Sequence, residues 1–110
     1  MTEIHFVHFV KSGVIMPIIA LTSDHAGVKL KQTLFTHLNQ NYDHYEVIDL
    51  GPNDTDSVDY PDFGHELAGA ITSGQADFGV AICGTGIGIS MALNRHDGVR
   101  SALCHNGFTA

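Results

Sequence analysis

The segment of this chain best suited to chemistry is Cys83-Gly84-Thr85-Gly86-Ile87-Gly88. Three alternating glycines let the backbone come close to a ligand and turn its N–H groups inward. A helix leaving such a turn adds the positive end of its dipole, so an anion or a developing oxyanion is favoured there. The same field lowers a thiol's pKa, which makes Cys83 a candidate thiolate base or nucleophile, expected to alkylate at lower pH than Cys104. The plain alternative is a buried Cys at a strand end; the GTGIG that follows favours the functional reading. Three familiar loops do not fit. A P-loop ends in Gly-Lys-Ser/Thr, and no Lys occurs after Lys31. A dinucleotide fingerprint is G-x-G-x-x-G followed by an acidic residue on a later strand, and neither is present. A cysteine phosphatase loop places an Arg about six residues after its Cys, where this chain has Ile89. An oxyanion-stabilising loop with a thiol at its mouth remains.

Ser23-Asp24-His25-Ala26-Gly27 is the second cluster. Asp24 and His25 could bind sugar hydroxyls or phosphate, or Asp24 could fix an imidazole tautomer. Equally, Asp24 could cap a helix whose first turn carries a solvated His25. In Asp59-Tyr60-Pro61, Tyr60 either reaches a substrate or packs at a helix start. His5, His8, His37, His44, His65 and His96 show no ligand spacing and read as surface or packing residues. Cys83 and Cys104 match no zinc pattern, so no metal or other cofactor is expected.

The elements that must hold these clusters alternate regularly. Strands are predicted at 17–24, 45–51, 78–83 and 99–104. Helices are predicted at 26–38, with Leu30, Leu34 and Leu38 inward and Lys29, Lys31 and Gln32 on other faces, and from Pro61, with Phe63, Leu67, Ala70 and Ile71 inward. A further buried helix runs from the glycine loop to about Arg95, and Gly98 ends it. Such alternation implies right-handed crossovers and a parallel sheet with helices on both faces. Ligands then bind beyond the carboxyl ends of the strands, where strand order reverses. Ordering the four strands 2-1-3-4 brings Asp24, His25 and Cys83 to one edge. Residues 1–15 read as an N-terminal extension and 16–110 as the domain.

Composition narrows the function classes. The 110 residues are 44% hydrophobic and 15% charged, with a net charge of -7, which describes one globular domain without a nucleic-acid surface. The sequence has no apolar run of membrane-spanning length and no signal-peptide pattern. Two Cys without a disulfide framework predict a reduced, cytoplasmic setting.

SDHAG after the first strand, DYPDF at the second helix, and ICGTGIGIS with the downstream NR…GVRSALC resemble ribose-5-phosphate isomerase B and its galactose-6-phosphate isomerase relatives. The resemblance covers residues 17–110 and implies a three-layer Rossmann-like α/β sandwich around a parallel sheet, with the last strand and C-terminal helices missing from this chain. It implies aldose–ketose isomerisation of a sugar phosphate through an enediolate, most simply ribose 5-phosphate to ribulose 5-phosphate in the pentose phosphate pathway. Carried over, Cys83 is the catalytic base; Gly84, catalytic Thr85, Gly86, Ile87 and Gly88 supply donors that hold the enediolate oxygen, while Asp24 and His25 bind the substrate and Tyr60 lies near it. One branch of the family uses a Glu where Ile89 stands, so this chain resembles the cysteine branch. A homodimer is implied for the full-length protein. The family's His-Asn-Asp motif and phosphate-gripping basic residues have no counterpart here, so weak or absent activity is expected of the chain. A non-catalytic module binding a phosphate or nucleotide is the competing reading.

Overall fold

The computed structural model describes residues 3–8, 16–52, 60–84, 91 and 93–104. The elements are β1 (Glu3–His8), β2 (Ile18–Ser23), α1 (Val28–Asn41), β3 (Glu46–Asp49), α2 (Tyr60–Thr72), β4 (Phe78–Cys83) and β5 (Arg100–Cys104), with a 3-10 turn at His25–Gly27. The βαβ alternation read from the sequence is therefore present. β3, β2 and β4 form a parallel core sheet. One helix covers each face, as a right-handed crossover requires.

The α2 face is the larger core. Leu67, Ala68, Ala70 and Ile71 of α2 pack with Ala20, Ala81, Cys83, Leu93 and Val99. The helix lies close because β4 carries Gly79 beneath it: a Cβ there would stand 2.8 Å from Leu67 Cδ1. On the opposite face Leu21, Val47, Val80 and Ile82 are buried under Leu34, Phe35 and Leu38 of α1. At the amino ends of the strands, Asp77 locks β4 to β2. Its N–H donates to the Ile18 carbonyl at 2.8 Å, and its Oδ2 accepts from the Ile18 N–H at 2.9 Å.

Two expectations need correction. The stripe of α1 that meets the sheet is Val28, Lys31, Leu34, Phe35 and Leu38, with Leu30 40% exposed. The inward row runs one residue away from Leu30, and it puts Lys31 inside. The sheet order is β3-β2-β4-β1-β5, not the simple 2-1-3-4 succession. β1, from the segment read as an extension, lies between β4 and β5 and runs antiparallel to both. Its register sets Glu3 beside Cys83 and His8 beside Phe78. β5 thus keeps the direction of β4 but stands one strand, about 4.8 Å, farther out. Among the described residues no helix is long and apolar enough to cross a membrane.

β1 supplies hydrogen-bond partners to two strands at once. Removing residues 1–15, so that the chain starts at Met16, should lower the urea midpoint of unfolding and promote association through the uncovered strand edges. Denaturation and sedimentation of the two chains check this. An unchanged midpoint in a monomer would show that residues 16–110 form the folding unit unaided.

Candidate active site

The site begins where β2 ends. Asp24 is extended, at φ -79° and ψ -178°, and the chain then turns at once into the 3-10 turn. An Asp in this position offers its carboxylate to the N–H groups that open the next helix. Its Oδ1 accepts from the Gly27 N–H at 2.9 Å, which is the capping role foreseen in the sequence. Its second oxygen does something else. Oδ2 accepts from the Gly84 N–H at 2.9 Å and from the Cys83 thiol at 3.3 Å. The Asp24 N–H donates to the Ile82 carbonyl at 3.0 Å. One residue after β2 is therefore joined to the last two residues of β4 and to the glycine that follows.

Burial explains why these bonds are made. Asp24 is 8% exposed and Cys83 is fully buried, and polar groups removed from water need partners. Gly27 permits the close approach: a Cβ there would lie 2.8 Å from the Ile82 carbonyl oxygen. The thiol is not a free, outward nucleophile. It is a hydrogen-bond donor to a carboxylate, so an alkylating reagent reaches it only when the site opens.

The structure brings Asp24 and Cys83 together, as the switch-point argument requires. His25 is exposed in the adjoining turn. Tyr60 is the first residue of α2. Thr85, Gly86, Ile87 and Gly88 lie outside the described residues. The Gly84 N–H is engaged by Asp24, so Gly84 anchors the loop through that donor.

Sequence reading missed Lys31, whose side chain is fully buried. Its Nζ meets Asp49 Oδ1 at 2.6 Å and the Pro52 carbonyl at 2.6 Å. Asp49 Oδ1 also accepts from the Gly51 N–H at 2.8 Å, while the Gly51 carbonyl accepts from Thr22 Oγ1 at 2.9 Å. Gly51 has a φ of +92°, a conformation that favours glycine. Lys31 thus fixes the exit of β3 against the end of β2, one residue before Ser23 and two before Asp24. The available signal was a Lys in the row Val28, Phe35, Leu38, facing an Asp at the end of an apolar strand.

The ribose/galactose isomerase family model matches residues 19–110. That match contains both loops of the site and most of the fold. The chain belongs to the ribose/galactose isomerase family. Ribose-5-phosphate isomerase B of Escherichia coli K12 is 39% identical over 92 residues, covering 84% of this chain and 60% of that protein. The solved structure of ribose-5-phosphate isomerase B from Clostridium thermocellum has a TM-score of 0.78 and 47% identity, with 84% of this chain and 61% of that one covered. The type B enzyme of Leishmania infantum gives a TM-score of 0.78 and 39% identity, with coverage of 86% and 61%. The chain spans about 60% of the length of these relatives. In this family member the Asp24–Cys83 contact and the Lys31–Asp49 pair both lie inside the matched region.

The ion pair supports an asymmetric prediction. Asp49 is 21% exposed at its side chain and Lys31 is 0% exposed. Asp49→Ala takes the Asp49 carboxylate away from a buried ammonium and should cost about 3–5 kcal/mol. Lys31→Met leaves Asp49 with access to water and should cost clearly less. Urea unfolding of both variants checks the order. The reverse order would mean that the carboxylate, not the ammonium, depends on the pair.

Proposed function

We propose that the chain carries the proton-transfer half of a sugar-phosphate isomerase, acting on ribose 5-phosphate and ribulose 5-phosphate through an enediolate. The observation that carries this reading is the hydrogen bond between Cys83 and Asp24 at the carboxyl ends of adjacent parallel strands. Family membership supports it, as does the likeness to the ribose-5-phosphate isomerases B of Escherichia coli and Clostridium thermocellum.

In this reading the Cys83 sulfur removes the proton from C2 of the open-chain aldose and returns it to C1. Electrons of the C2–H bond form the enediolate double bond, and the C1 carbonyl becomes the C1 hydroxyl as C2 becomes the carbonyl. The thiol must first lose its own proton, and Asp24 Oδ2 is the acceptor it already faces. Asp24 therefore acts on Cys83, and sugar hydroxyls are left to His25 and Tyr60. Negative charge on the enediolate is held by N–H groups of the loop from Thr85 to Gly88, since Gly84 is occupied with Asp24. Moving the hydroxyl proton between O2 and O1 requires a second acid–base group, which the family resemblance assigns to a His. The cytoplasm as the location and a homodimer as the full assembly belong to the same proposal.

The test uses the ketose, because ribulose 5-phosphate cannot close a five-membered ring through its phosphorylated O5. Incubated with the chain in deuterated water, it should gain deuterium at C1. Cys83→Ala should slow that exchange by about 10²–10⁴-fold, the usual cost of a lost acid–base group. Exchange at equal rates in both chains would remove Cys83 from the mechanism. Ligand binding without exchange in either would favour a phosphate-binding module.

A further inference from the structure

Two histidines remote in sequence, neither of them assigned a role in the candidate site, meet. His65 Nδ1 stands 2.6 Å from His96 Nε2. The rings are edge-on, with centroids 4.9 Å apart and an interplanar angle of 61°. We propose that this pair is a two-imidazole site for a borderline divalent transition ion, of which Zn²⁺, Ni²⁺ and Cu²⁺ are the fitting class. It is independent of the isomerase reading.

Both rings are presented by fixed backbone. His65 sits on α2 beside Leu67 and Ala68, both fully buried. His96 is held in a turn: its N–H donates to the Leu93 carbonyl, and its carbonyl accepts from the Val99 N–H, each at 3.2 Å. Leu93 and Val99 pack in the same core as α2, so the two carriers share one anchor. The approach of the rings is thus built by the fold.

The chemistry of the contact selects the ligand. Two neutral imidazoles facing each other through ring nitrogens must share one proton, one donating and one accepting. A metal ion in place of that proton takes both lone pairs. Metal–nitrogen bonds of about 2.0–2.1 Å, at square or tetrahedral angles, separate the nitrogens by about 2.9–3.4 Å. The rings need to part by less than about 1 Å, which side-chain rotation supplies. Imidazole nitrogens suit zinc, copper and nickel, whereas magnesium and calcium require oxygen ligands. Among the described residues no third His, Cys, Asp or Glu completes a metal-binding group, so water fills the remaining positions. His65 is exposed and His96 is half-buried, leaving room for that water. Glu66 and Asp97, both exposed neighbours in the chain, favour a cation, and Arg95 opposes it. An ion held here ties α2 to the connection that runs from the Cys83 loop into β5.

The experiment is calorimetry of the untagged 110-residue chain with Ni²⁺, paired with thermal unfolding. One Ni²⁺ per chain should bind and raise the unfolding temperature, and Mg²⁺ should do neither. His65→Gln and His96→Gln keep a polar side chain of similar reach but remove one chelating nitrogen. Each should lose the site, and the double variant should be no worse than either single one. His37→Gln, at a histidine bonded within α1, should retain it. Absence of one-to-one binding would overturn the proposal. So would binding that survives in either Gln variant of the pair.

Discussion

The carboxylate of Asp24 is the constraint on which the rest of the site depends. It is removed from water and accepts from Gly27, Gly84 and Cys83. Each of those bonds fixes a different element: the start of the first helical turn, the start of the glycine loop, and the thiol at the end of β4. A carboxylate with fewer donors would have to hold water at this position. Three donors let the strand ends close on one another without it.

That closure is supported from behind by a second buried charge. Lys31 joins Asp49 and the Pro52 carbonyl, and through Gly51 the end of β3 is bonded to Thr22 of β2. The carboxyl edge of the parallel sheet is therefore knit across all three strands, β3 to β2 by backbone and the Thr22 hydroxyl, β2 to β4 by Asp24. Breaking a buried ion pair by removing one partner is costly because the other stays buried. The scaffold that positions Cys83 is thus polar at this edge, while the faces of the sheet are apolar. The proton transfer proposed for Cys83 needs groups whose places do not shift as charge moves, and these bonds hold Asp24 and Cys83 in place.

Much of the fold was legible because its signals are local. Alternating apolar runs and amphipathic stretches marked β2, α1, β3, α2, β4 and β5 to within a few residues, and Asp24 was readable as a cap from its place before a helix. α2 was read correctly at Leu67, Ala70 and Ile71, since a helix face follows from spacing alone. α1 was read one residue out of phase, because Leu30, Leu34 and Leu38 also form a helical row. Only packing shows that the sheet meets Val28, Lys31 and Phe35 along with Leu34 and Leu38, and that Leu30 is left outside. A buried Lys defeats a pattern argument, since its stem packs like an apolar chain while its head is classed as charged.

By itself the sequence determined the βαβ alternation, the switch-point loops and the meeting of Asp24 with Cys83, because parallel crossovers leave few ways to arrange those loops. Tertiary structure alone decided what depends on partners far apart in the chain. The pairing of β1 between β4 and β5 is one such choice: residues 3–8 could have formed a strand anywhere an edge was free. The burial of Lys31 against Asp49 is another, and the meeting of His65 with His96 a third. Spacing along a chain encodes which residues share a face of their own element. It carries no record of which face of another element they will touch, and that is settled only when burial and hydrogen bonding are satisfied for the whole fold at once.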